Sequence, residues 1–281
     1  MTHTAEPGRG RGANKVRKPP FGALLRTWRQ RRGLSQLDLA CEADISTRHL
    51  SFMETGRSLP SRMMLVHLAE RLAIPLRERN ALLVAAGYAP AYSEHGLDAP
   101  ALQAARKAVD LVLAGHEPYP ALAIDRHWTL VAANRAVAPL LAGVAPELLR
   151  PPVNVLRLSL HPAGLAPRIA NWGPWRDHIL QRLAHQVAVS ADPVLAALHD
   201  ELKGYPRPEG AVAADRPDDA PAHPDVVVPL RLCTDAGVLN LFSTTTVFGT
   251  AVDVTLSELA IEAFFPADPA TAGILRDILA S

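Results

Sequence analysis

Between residues 21 and 90 the apolar positions recur at helical spacing, broken at short intervals by caps and glycines. Leu24, Leu25 and Trp28 mark one face of a helix over about 21–32, and Gly33 ends it. Ser35 is placed to cap a second helix that starts at Gln36 and turns Leu37, Leu39 and Ala40 inward. Residues 43–45 reverse the chain and Ser46 caps a third helix. Ile45, Leu50 and Met53 fall on its buried side, while Thr47, Arg48, Ser51 and Thr55 lie opposite. Gly56 follows where a left-handed C-cap belongs. A fourth helix over 61–72 carries the stripe Met64, Leu65, Leu68 and Leu72, and a fifth runs from about Pro75 to Gly87. Two short helices joined by a tight turn, with small Ala40 at their crossing, form what a helix-turn-helix requires. The polar row on the third helix can reach base edges and phosphates in a major groove.

From residue 99 onward the pattern alternates between helical and strand periods. Asp98 is placed to cap a connector helix over 99–114 whose stripe is Leu102, Ala105, Val109, Val112 and Leu113. That stripe either packs on the following domain or also meets a second subunit. Residues 121–125 and 128–136 read as a hairpin turning at Arg126 and His127, with Trp128, Leu130 and Ala132 alternating along the second arm. Asn134 then starts a helix through Val137, Leu140 and Leu141. A long helix over 170–188 carries Trp172, Trp175, Ile179, Leu183 and Val187. Asp192 and Pro193 open another, which Gly204 ends. Residues 205–225 are rich in Pro, Ala and Asp and read as a partly mobile loop. Residues 226–233 and 238–249 form a second hairpin, 253–265 a fifth strand or, as its pattern also allows, a helix, and 268–280 a last helix. Two strands, a helical insert and three antiparallel strands make an α+β layout.

Charge separates the same two regions. Formal net charge is only +1, yet residues 1–87 hold 15 Lys+Arg against 7 Asp+Glu, a net of +8. The remainder holds 14 against 21, a net of −7. A basic helical domain fused to an acidic one points to a nucleic-acid partner for the first. The tail over 1–20 is rich in Gly, Pro and Arg. It reads as a disordered leader, or as a basic arm in which Arg9, Arg11, Lys15, Arg17 and Lys18 touch phosphates. It has no apolar core of a signal peptide, and no apolar run reaches membrane-spanning length, so a cytoplasmic protein with no membrane partner is expected. Cys41 and Cys233 have neither metal-ligand nor disulfide-framework spacing and read as small buried apolar residues in a reduced compartment.

The residues LSQ, LA, S-x-x-x-x-S-x-x-E-T-G-R, P-S, L-x-x-LAERL and LLVAAGYAP, over about 21–90, resemble the Xre/phage-repressor family of helix-turn-helix regulators. AIDRHWTLVAANRA, the WGPW and DPVLAALHDEL helices and the tail STTTVFGTAVDVTLSELAIEAFFPADPAT resemble the ligand-binding domain of MmyB-like Xre regulators, over about 119–278. These resemblances imply an all-α five-helix helix-turn-helix domain (21–90), a connector helix (99–116), and an α+β PAS-like domain with an antiparallel sheet (117–281). They also imply a homodimer on double-stranded DNA, with a small apolar, fatty-acid-like effector in the second domain.

Carried over by position, the DNA contacts expected are Gln36, Ser46, Thr47, Arg48 and Ser51, with Arg57 on phosphate. Glu54 is expected to hold Arg57 or cap locally, because a carboxylate near phosphate is repelled. His49 is expected against the second helix. Phe52 meets either a thymine methyl or a neighbouring helix. For the ligand pocket the scarce large aromatics Trp172, Trp175, Phe248 and Phe264 are the candidates, each of which also fits plain core. There are no GxSxG, phosphate-loop or HExxH motifs, so no catalytic residue, metal or cofactor is assigned. His178 and His185 read as surface histidines, since seven residues span about 10.5 Å of helix. A metal-dependent sensor or a protein-interaction domain fused to the helix-turn-helix is the alternative reading.

Overall fold

The computed structural model describes residues 20–208, 228–249 and 251–280. The basic arm expected at 9–18 and most of the loop expected at 205–225 lie outside them. The chain divides into two compact units, residues 1–91 and 92–281.

In the first unit five helices follow in order: α1 (Phe21–Arg31), α2 (Gln36–Glu42), α3 (Thr47–Glu54), α4 (Arg62–Arg71) and α5 (Leu76–Ala85). Their boundaries come from local chemistry. The Ser35 hydroxyl accepts the Asp38 amide while the Asp38 carboxylate accepts the Ser35 amide, a complete capping box. Ser46 and Ser61 cap α3 and α4 in the same way through one bond each. Gly33 and Gly56 end α1 and α3 with φ of 68° and 74°, a region closed to most side chains. One core of Leu25, Trp28, Leu39, Leu50, Met53, Leu65, Leu68, Leu72 and Leu83 joins all five. Leu37 departs from expectation. It is 61 % exposed, because Leu39 and Ala40 already fill the inward face of this two-turn helix.

Cys41, expected to be buried, is exposed as well. A Cβ on Gly22 would lie 2.5 Å from the carbonyl oxygens of both Met53 and Glu54. The start of α1 therefore packs directly on the backbone at the end of α3.

The second unit is built on a five-stranded antiparallel sheet ordered β2-β1-β5-β4-β3. The strands are β1 (Ala121–Ile124), β2 (Leu130–Ala133), β3 (Leu230–Thr234), β4 (Gly237–Val247) and β5 (Ala260–Pro266). α6 (Gln103–Gly115), preceded by a 3-10 turn at Pro100–Leu102, lies on one sheet face, where Val109 and Leu113 meet Ala121, Ala123, Ile261 and Ala263. Val109 and Leu113 of the connector stripe thus pack on its own sheet, whereas Val112, expected on that stripe, is exposed together with Leu111. Asp98 does not cap it; its carboxylate accepts from Arg106 at 2.9 Å.

The other sheet face carries the insert: α7 (Val155–Leu160), α8 (Trp172–Ser190) and α9 (Pro193–Lys203). α10 (Val254–Ser257) and then β5 share the segment for which a strand or a helix was expected. Buried Asp253 caps α10 and bonds His95 at 2.8 Å. α11 (Pro269–Ala280) closes the chain against β4 and β5, with Leu275 in the core.

The helix expected from Asn134 does not form as an α-helix; only a 3-10 turn at Ala138–Leu141 appears. Asn134 is buried instead. Its amide donates to the carbonyls of Leu113 and Tyr119, and its oxygen accepts from Ala121 N at 3.1 Å. One side chain thus ties the end of α6 to the start of β1, an alternative use of Asn that competes with helix formation.

Candidate DNA interface and ligand cavity

The helix-turn-helix is α2, the turn at Ala43–Ile45 and α3. Asp44 takes φ of 53°, where an Asp is tolerated, and the Ile45 amide closes the turn on Ala40 O at 2.9 Å. Along α3, Arg48 is exposed and Thr47 and Ser51 are half-buried; none of these side chains has a hydrogen bond among the described residues. Ser46 is exposed and spends its oxygen lone pair on the cap, while its hydroxyl proton remains available. Phe52 is half-buried, with the guanidinium groups of Arg48 and Arg57 at 5.3 and 5.6 Å from its ring centre. That contact places both cations on one side of α3. His49 is half-buried.

Glu54 does not hold Arg57. Its carboxylate, with no exposed side-chain surface, accepts from Arg29 Nε at 2.6 Å and Nη2 at 3.0 Å, from Gln36 Nε2 at 2.8 Å, and from Arg26 Nε at 3.4 Å. Desolvation pushes this carboxyl up, and the bonds from Arg29, Gln36 and Arg26 outweigh it, holding Glu54 below the ordinary glutamate range. The effect on the interface is geometric. Glu54 joins α1, the first residue of α2 and the last residue of α3, so it sets the angle between the two helices. Gln36 reaches this carboxylate through one amide hydrogen and keeps the other free.

In the second unit a cavity lies between α8 and the inner sheet face. Its volume, traced by the centre of a water-sized sphere, is about 120 Å³. Leucines from several elements wall it, among them Leu122, Leu140, Leu156, Leu165, Leu232 and Leu241. Of the four aromatics expected there, Trp175 and Phe264 line it. Trp172 is buried at the start of α8 under Arg176 but stands outside the lining. Phe248 follows β4 and packs on the opposite sheet face with the α6 cluster. One more aromatic, Trp128, completes the wall. It was expected as a strand residue but sits in the hairpin turn with φ of 65°, held by its amide bond to Asp125 O. Asp125 Oδ1 also accepts from the amides of His127 and Thr129 at 2.8 Å. The turn throws the indole inward, where Nε1 bonds Gln186 at 2.8 Å.

Few polar groups face this space. Arg182 donates to Glu262 at 2.5 and 3.2 Å and to Thr245 Oγ1, which in turn donates to Glu262, and its guanidinium lies 4.6 Å from the Trp128 ring centre. His178, one turn earlier on α8, is half-buried and lines the cavity beside Trp175, where a surface histidine was expected. Burial, followed by the nearby Arg182 charge, holds His178 below the ordinary histidine range. Ser159 receives the Trp175 indole proton at 2.9 Å. No cluster of potential metal ligands occurs among the described residues, and no helix there is long and apolar enough to cross a membrane.

A helical unit containing a helix-turn-helix is followed by an α+β unit that encloses an apolar cavity. Residues 20–82 match a helix-turn-helix domain family, and residues 105–278 match the MmyB-like transcription regulator ligand binding domain. The chain belongs to the MmyB-like transcription regulator family. No curated protein matches it. Among solved structures, it is similar to "Structure of an RNA-binding Light-Oxygen-Voltage Receptor" at 12% identity and a TM-score of 0.27. That match covers 94% of this chain and 62% of the other.

Proposed function

We propose that this regulator acts as a homodimer in the cytoplasm, that α3 reads the major groove, and that a small apolar, fatty-acid-like effector in the α8 cavity sets its DNA affinity. Thr47, Arg48 and Ser51 make the base-edge and phosphate contacts, Gln36 and Ser46 anchor the helix starts on phosphate, and Arg57 adds a second phosphate contact. The observation that carries this reading is the row of side chains on α3 that have no hydrogen-bond partner among the described residues, beside the buried Glu54 hub that joins α3 to α2. Two subunits reading half-sites about 34 Å apart, or a multiple of that, would respond to any ligand that favours one dimer arrangement over another.

The test is selection of a binding site from random duplexes, followed by fluorescence anisotropy with Arg48→Ala. The expected loss is about 1–3 kcal/mol on the selected site. An unchanged affinity would remove α3 from the interface. Native mass spectrometry of gently purified protein, with and without added amphiphile, tests the cavity separately.

A further inference from the structure

The ionisable side chains lining the cavity are His178 and Arg182 from α8 and Glu262 from β5. Two of these are already spent on each other. The Glu262 side chain is only 5 % exposed, and its carboxylate is closed by Arg182 and Thr245; Arg182 is further covered by the Trp128 ring. The register pairs Thr245 with Glu262 and Ser243 with Phe264, so this pair and Ser243 share the inner sheet face. Thr245 is exposed, which puts the ion pair on the solvent side of the cavity. In contrast, neither the His178 imidazole nor the Ser243 hydroxyl has a hydrogen-bond partner among the described residues, though both line the cavity. The wall therefore offers two unpaired neutral polar groups and no uncompensated charge.

Resting on the reading of this cavity as the effector site, we infer that it selects amphiphiles with a neutral hydrogen-bonding headgroup, such as an alcohol, amide or ester, and that a carboxylic acid enters only together with a proton. A neutral headgroup can bond His178 and Ser243 without disturbing the Arg182–Glu262 pair. An ionised carboxylate has no free cation to meet. If it takes Arg182, two carboxylates share one guanidinium, and like charges at that distance do not both stay ionised. One proton taken up with the ligand restores neutrality.

Isothermal titration of the full chain with decan-1-ol and with decanoate, in two buffers of different ionisation enthalpy, reads this directly. The alcohol is expected to bind with no proton exchange and equal affinity between about pH 6.5 and 8.5. Decanoate is expected to take up about one proton and to weaken about tenfold per pH unit over the same range. Glu262→Gln, which frees the Arg182 charge, is expected to abolish that uptake and tighten decanoate at the upper pH. Decanoate binding to the unaltered protein with no proton uptake and no pH dependence overturns the inference while leaving the cavity reading intact. Binding of neither probe overturns the cavity reading, and the inference with it.

Discussion

Replacing Glu54 with alanine removes the one carboxylate that α1, α2 and α3 share. The structure leaves little room for compensation. Arg29 is only 10 % exposed at its side chain and loses both of its bonds to Glu54, keeping one to Leu34 O at 2.8 Å. Gln36 loses its only bond to the end of α3. Removing one partner of a buried pair typically costs about 3–5 kcal/mol, since the remaining charge stays desolvated. Hydrogen exchange read on peptides from residues 21–88 of the full chain isolates this unit from the second one. Where exchange follows the opening equilibrium, that loss raises rates roughly 10²- to 10⁴-fold. A double variant, Arg29→Met with Glu54→Leu, removes both charges and is expected to recover much of the protection. The pH dependence follows from the lowered pKa of Glu54. Its stabilisation is fully present above the unfolded value of about 4.3 and is lost as pH falls through the lower folded value. Protection in α1–α3 should therefore drop in acid for the parent and vary less for Glu54→Gln. A less than tenfold change in exchange for Glu54→Ala would refute the claim that this carboxylate holds the three helices together.

The remaining predictions concern single contacts. Gly22→Ala places a methyl on two backbone oxygens at the end of α3, and should lower the melting free energy of the first unit by about 1–3 kcal/mol in urea titration. The second unit should be unaffected. Asn134→Ala removes the side-chain partner of the Ala121 amide and of the Leu113 and Tyr119 carbonyls, and should destabilise the second unit by about 1–3 kcal/mol, with early exchange at the end of α6 and the start of β1. Arg57→Ala is expected to weaken binding about equally to specific and random duplexes and to reduce the salt slope by about one, as anisotropy at several salt concentrations would show.

Much of this protein was legible without coordinates wherever the cause is local. Ser35, Ser46 and Ser61 cap their helices because a hydroxyl reaches an amide three residues on. Gly33 and Gly56 stop helices because the backbone there needs positive φ. Alternation in β4 and β5 placed one set of side chains on each sheet face, since that period is a property of the strand itself. What tertiary structure alone decided was which distant groups meet. Glu54 turned from Arg57 to Arg29 and Gln36, 25 and 18 residues away, because α1 and α2 enclose the end of α3 and leave Arg57 outside. Phe248 and Phe264 carry similar sequence signals, yet the order β1-β5-β4 and the placement of α6 put them on opposite faces. Trp128 entered the cavity through a turn conformation that its strand-like neighbours conceal. His178, read as a surface residue, lines that cavity because the face of α8 that bears it is covered by the sheet. Periodicity specifies that a face is buried; the partner that covers it, and whether space remains between them, depends on elements far along the chain.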